Sequence, residues 1–252
     1  MQDNISTLRS IINENQGILS IVLFTISIFI GWISGIFSSI RRRPKFKIEC
    51  IPGPTLVCTY GTGNPHNGHD IHRTGIVIYL KISNIGSAAS SIESVALGYR
   101  WHIQPLRWLW WRYGIRRFWL RHQTTALQDF RVEIGDQIKL YPFLFQRGSI
   151  PSAPPDTYLG IGQSTNGIVY FEQSDSWGAC FPTSRKRATK IKICVVDTFG
   201  GHHFQSVSVP RVPLDEARKF NPSFGLTIDK INDNIGVFDL PADDDGNPIL
   251  KR

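Results

Sequence analysis

The residues whose types invite metal chemistry are histidines. His66, His69 and His72 stand in "PHNGHDIHR" with Asp70 among them, and His202 and His203 follow the glycines of "DTFGGHH". Imidazole and carboxylate groups bind zinc when the loops that carry them converge. Here there is no HExxH pair, no paired cysteines and no fixed partner spacing, so polar loop histidines account for the pattern and no metal is expected. The "DDDG" run at Asp243 is no calcium loop, because Pro241 stands where a second acidic ligand is required. Nucleophilic chemistry finds no support either: there is no GxSxG elbow, and Cys50, Cys58, Cys180 and Cys194 form no CxxC pair. The glycines of "GTGNPHNG" lack the Lys-Ser/Thr of a phosphate loop and suit turns instead. The chain is therefore expected to be no enzyme and to need no cofactor.

A second grouping carries more information. Residues 101–122, "WHIQPLRWLWWRYGIRRFWLRH", hold five of the seven tryptophans and five arginines, and no acid. Wound as a helix, Trp108, Trp111, Ile115, Phe118, Trp119 and His122 share one arc, with Arg112, Arg116, Arg117 and Arg121 outside it. A hairpin of "RWLWWR" and "RRFWLR" around "YGI" would present the same aromatics, and the choice between helix and hairpin stays open. Three uses compete for such a segment. Indole rings at headgroup depth with guanidinium groups on phosphates would make a membrane contact. The same rings could pack over the domain or against an unknown protein partner. Single-stranded nucleic acid would also use aromatics and cations, but no known binding module accompanies them, and nucleic acid is disfavoured.

The neighbourhood favours lipid. Gly17–Ile40 runs for 24 residues without a charge, about 36 Å as a helix against a hydrocarbon core of about 30 Å. A cleaved signal would have a shorter apolar core and a positive leader, whereas "MQDNISTLRSIINENQ" has one arginine and two acids. After the span come Arg41, Arg42, Arg43, Lys45 and Lys47; before it stands only Arg9. The positive-inside rule then puts the N-terminus outside and the main domain in the cytoplasm of a cell with the chain in its inner membrane. Unpaired cysteines fit that reducing side, and with inverted topology the four could form two disulfides. Ser27, Gly31, Gly35 and Ser39 recur every fourth position, a spacing suited to close helix–helix approach and a homo-oligomer.

Charge supports an anionic partner. Residues 41–214 hold 22 Lys and Arg against 10 Asp and Glu, while the tail from Asp215 has eight acids and five bases. Anionic headgroups are the expected counterpart. A further run, Arg185, Lys186, Arg187, Lys190 and Lys192, suits either headgroups or a solvated edge strand.

Past Pro44 the period becomes two. "FKIECI", "TLVCTY", "TGIVIYLKISN", "SSIESVALGY", "FRVEI", "QIKLYPFLF", "NGIVYFEQ", "KIKICVV" and "HHFQSVSV" are short and β-branched, separated by Gly, Asn, Pro and Ser clusters. "VIYLKISNIGSAASSIESV", and "YLGIGQSTNGIVYFE" followed by "KIKICVVDTFGGHHFQSVSV", resemble the immunoglobulin-like accessory domains of bacterial envelope and membrane proteins. That resemblance covers about residues 46–210 and implies a fold and binding, with no activity attached. The 101–122 segment departs from it, since a short loop is expected there.

The expected organisation is a polar tail over 1–16, a transmembrane helix over 17–40, a basic linker over 41–45, an antiparallel immunoglobulin-like β-sandwich over 46–212 with the 101–122 insertion, and a short helix with an acidic, partly disordered tail over 213–252. Binding or scaffolding at the membrane surface is the favoured use. The alternative is a membrane-anchored sensor or effector subunit that recognises a small ligand or nucleic acid through the basic aromatic segment.

Overall fold

Alternating apolar residues become strands along most of the chain after Pro44, joined into antiparallel sheets. The computed structural model describes residues 15–34, 42–63, 69–103, 108, 110–146, 157–226 and 237–250. The chain divides after Arg43, and Pro44–Arg252 forms a unit with its own core.

Before the division lies α1, Gln16–Ile33. It is long and apolar enough to cross a membrane, and none of its described side chains is buried. At 1.5 Å per residue its 18 residues cover about 27 Å. The hydroxyls of Ser20, Thr25 and Ser27 each donate to the carbonyl four residues earlier. Such bonds keep polar side chains satisfied where no water is at hand.

The first sheet is built around β3, Ile71–Asn84. One edge pairs with β9, Ser164–Trp177, for almost its whole length. The other edge is divided between β2, Leu56–Gly61, and β1, Phe46–Cys50. A two-residue strand near the C-terminus, β13 (Phe238–Asp239), extends β2. In the second sheet β4, Ser90–Tyr99, and β12, His202–Pro210, pair with β11, Ala188–Asp197. Short strands complete it: β5 (Phe118–Leu120) and β8 (Tyr158–Leu159) on β4, and β10 (Ser184–Arg185) on β11.

Period-two spacing sends Ile76, Ile78, Leu80 and Ile82 of β3 to one face. There they share a core with Val95 and Leu97 of β4, Ile191, Ile193 and Val195 of β11, and Val169 and Phe171 of β9. The turn that carries the chain from β3 to β4 is tied by Asn84. Its buried amide donates to the carbonyls of Ala88 and Leu159, and its side-chain oxygen accepts from the Gly86 amide. All four polar contacts of a buried Asn need partners, and this one finds at least three.

The opposite face of the first sheet is also covered. Val77 and Tyr79 of β3 join Cys58 and Tyr60 of β2 and Tyr170 of β9 in a second core. Its lid is the hairpin of β6 (Phe130–Ile134) and β7 (Gln137–Tyr141) together with α2, Leu214–Phe220, and Phe224. Every residue of β2 is therefore buried. Two expectations change. "FRVEI" and "QIKLY" form strands, but in a separate two-stranded sheet. The C-terminal segment is not merely an exposed acidic tail. Leu214, Ala217 and Phe224 are core residues, Asp239 lies on β13, and Asn247 is buried against Ser184. Isolated apolar residues in a polar stretch carry no period, so docking onto a sheet face could not be read from their spacing.

Candidate interfacial site

The aromatic-basic segment follows β4, and its conformation changes midway. Trp101 leaves the strand with its amide donating to the Tyr113 carbonyl at 3.1 Å. Trp110–Ile115 then form a single π-helical turn, and Phe118–Leu120 return as β5 against Leu97–Tyr99. Among the described residues neither the continuous helix nor the local hairpin is found. Phe118–Leu120 pair with β4, because an open strand edge with matching apolar neighbours offers more hydrogen bonds and burial than a short hairpin alone.

The consequence for the side chains is direct. On β5 the period is two, so Phe118 and Leu120 pack against the shared core while Trp119 points the other way. Trp119 lies on Gly98, where an added Cβ would meet its ring at 2.9 Å, and edge-on to Phe204 at 6.3 Å. Lys192 Nζ stands 4.1 Å from the Phe204 ring. The helical arc that joined Phe118 and Trp119 to the other aromatics is thus broken in two.

What remains together is Trp108, Trp111 and Ile115 with Arg112 and Arg116. These five line an open concavity of about 580 Å³. Trp108 is 85 % exposed, Trp111 61 % and Ile115 41 %. Arg112 and Arg116 are exposed, and Arg117 is half-buried. The turn is held by rings beneath it. Trp101 lies 4.1 Å from Tyr113 and 4.9 Å from Phe118, centroid to centroid, and Trp110 packs edge-on to Trp111 at 5.2 Å. Arg112 Cζ sits 5.3 Å from the Tyr113 ring centroid. Large exposed indoles among cations make an amphipathic surface that water solvates poorly.

No protein-family model matches the chain, and no curated protein is recognisably similar to it. The chemistry of the side chains is the remaining guide.

Other sequence-level candidates are dispersed. His72 is buried on β3 with Nε2 3.0 Å from the Gly178 carbonyl, and burial holds its ring below the ordinary histidine value. His69 is exposed, and His66 lies outside the described residues. His203 Nε2 donates to Asp197 at 2.7 Å while Nδ1 accepts from the Phe46 amide at 3.2 Å. Among the described residues no three His, Cys, Asp or Glu side chains converge on a metal-sized site. The four cysteines are free thiols. Ser27 and Gly31 lie on α1, whereas Gly35, Ser39 and Arg41 lie outside the described residues. Of the basic flank, Arg42, Arg43 and Lys45 precede β1 and Lys47 is on it, paired with Glu49 at 2.6 Å.

A buried ionic group was not foreseen. Arg73 on β3 reaches Asp175 at 2.5 Å and Glu172 at 3.6 Å, and the Tyr60 hydroxyl donates to Glu172. Burial pushes the Glu172 carboxyl up, against the opposing pull of Tyr60 and Arg73. Tyr60 is fully buried against Phe224, so this group ties β2, β3 and β9 together, with Asp175 as its solvent-facing member. Charged residues within strands gave no spacing signal, because only pairing across the sheet brings them into contact.

Proposed function

We propose that this is a single-pass membrane protein whose immunoglobulin-like domain binds at the cytoplasmic surface of the inner membrane. Trp108, Trp111 and Ile115 enter the headgroup layer, and Arg112 and Arg116 meet anionic phosphates. The observation that carries the proposal is the solvent exposure of Trp108, and of Trp111 on its anchored turn, beside Arg112 and Arg116. Indole favours the interface between lipid and water, and each nearby cation adds attraction to an anionic leaflet. An apolar helix in the same chain supplies proximity, and the basic flank from Arg41 to Lys47 supplies the orientation.

The immunoglobulin-like assignment is supported by which strands pair. In that fold A, B and E share one sheet, and C, F and G the other. Here β1 and β2 stand beside β3 and then β9, while β4, β11 and β12 make the second sheet. This is the same order with β3 as B, β4 as C, β9 as E, β11 as F and β12 as G. The long connection from β4 to β9 carries both the interfacial turn and the β6–β7 hairpin, where a short connection is usual.

Flotation of residues 44–252, which have their own core, with vesicles rich in phosphatidylglycerol tests the proposal. The domain is expected to float at low salt, and the Trp108→Ala/Trp111→Ala pair to lower partitioning by about tenfold or more. A domain that stays in solution, or one that floats equally well after both substitutions with its circular dichroism unchanged, overturns it.

A further inference from the structure

Where β12 ends, Arg211 forms a parallel bridge with Val57, so the chain crosses from one sheet to the other at this residue. Its guanidinium is held on three sides. Nη1 donates to the Thr59 hydroxyl at 3.1 Å, Nη2 donates to the Pro182 carbonyl at 2.5 Å, and the Phe181 ring lies 5.8 Å from Cζ. Nε is buried and has no hydrogen-bond partner. Among the described residues no carboxylate oxygen comes within ion-pair distance of this guanidinium. Desolvating a cation is costly to the fold, and burial accordingly pulls Arg211 down to about 10, although Asp243 nearby pulls it the other way.

Beside Arg211 opens a pocket of about 220 Å³ whose wall includes Thr59, Arg187, Asp239, Asp243 and Gly246. That is several times the roughly 30 Å³ of one water in the liquid. Arg187 reaches it from a strained turn. Lys186 and Arg187, between β10 and β11, both have positive φ, 52° and 55°. Their amides are captured by Asp245, through its side chain and its carbonyl, at 2.8 Å and 3.0 Å. Two bulky residues in the left-handed region persist only where the surroundings hold them there. Gly246, at φ 82°, closes over both arginine stems, with 3.4 Å from its ideal Cβ to Arg187 Cγ and 3.5 Å to Arg211 Cδ. The two acids in the wall already have donors. Asp243 accepts from the Asn247 amide and side chain, and Asp239 accepts from the Leu214 amide.

We propose that Arg211, Arg187 and Thr59 form a binding site for a single phosphate group carried by a small soluble molecule. Guanidinium groups recognise phosphate through paired N–H donors, and each Arg211 Nη keeps a second N–H beyond the one it gives to Thr59 or Pro182. Two arginines supply charge for one phosphate group rather than a polyphosphate, and Asp239 and Asp243 in the wall oppose any further anionic charge. The site shares no residue with the Trp108–Trp111 concavity and does not depend on bilayer contact.

The test is calorimetric titration of the detergent-solubilised full chain with inorganic phosphate, against potassium chloride of matched ionic strength, with thermal midpoints recorded in parallel. Wild type is expected to bind phosphate saturably and to melt higher in its presence. Arg187→Gln is expected to weaken binding by about tenfold or more, with its midpoint in chloride unchanged because that side chain is exposed. Trp108→Ala/Trp111→Ala is expected to bind phosphate as wild type does. Glycerol 3-phosphate should compete, and phosphatidic acid vesicles should not. The proposal is overturned if phosphate and chloride give the same midpoint and no heat of binding. Arg187→Gln affinity within about twofold of wild type, or binding to phosphatidic acid vesicles alone, overturns it equally.

Discussion

The indole of Trp101 and the ring of Tyr113 lie 4.1 Å apart between centroids, and the Trp101 amide donates to the Tyr113 carbonyl. One residue lies just past the end of β4 and the other sits in the π-helical turn with Trp111. This contact is therefore the mechanical link between the sheet and the exposed indoles. Tyr113→Ala should leave the far-ultraviolet circular dichroism of the domain intact while reducing flotation with anionic vesicles several-fold. Full flotation in that variant would mean that the turn binds lipid without being held in place.

Attraction between Arg112, Arg116 and headgroups is screened by salt, whereas insertion of indole is not. Raising salt from about 0.05 M to about 0.5 M, across which the screening length falls well below 10 Å, should weaken vesicle binding of the wild-type domain. Arg112→Gln/Arg116→Gln should bind more weakly at low salt and show a flatter salt response. Parallel salt curves for the two proteins would remove the arginines from the interface.

Phe224 fills the space over Gly75, where an added Cβ would lie 2.5 Å from Cζ, and it packs against Tyr60 and Tyr170. Phe224→Ala should cost about 3–5 kcal/mol of stability, as expected for emptying a core aromatic. Chemical denaturation of the domain measures it. A change below about 1 kcal/mol would be the behaviour of a dispensable tail.

Asp197 closes the turn between β11 and β12. Burial pushes its carboxyl up, but the bond from His203 and the amides of Gly201 and Phe199 prevail and hold it below its ordinary 3.8. A depressed carboxyl contributes stability that is complete above the unfolded value and is lost as pH falls through the folded one. Asp197→Ala should cost about 1–3 kcal/mol at neutral pH. Below the ordinary value the gap to wild type should narrow, which urea midpoints across pH 2–7 would read.

Cys50, at the end of β1, is the exposed thiol, and desolvation pushes it up to about 11. With the domain on the cytoplasmic side, a membrane-impermeant maleimide should label Cys50 in broken cells at mildly alkaline pH and spare it in intact ones. Labelling of intact cells would reverse the proposed orientation.

Much of the fold was legible because it follows from local chemistry. The apolar run from Gly17 predicted a helix suited to a membrane, and Gln16–Ile33 is one. Alternation over Ile76–Ile82 marked the face that meets β4 and β11. The aromatic turn was legible as a place but not as a shape. Composition identified Trp108, Trp111 and Ile115, yet whether Phe118 and Trp119 joined them depended on the period of a three-residue segment. That period was decided by the free edge of β4, a partner distant in sequence.

By itself, then, the sequence determined the apolar helix, the strand-forming segments and the gathering of tryptophan with arginine, since these depend on composition and on periods of a few residues. Tertiary structure alone decided the second core beneath α2 and Phe224, the pairing of Arg73 with Glu172, and the meeting of Arg211 with Arg187 and Thr59. Each of those joins segments that are far apart along the chain. Pairing across a sheet and docking of irregular segments set such contacts, and neither leaves a repeating mark in the residues.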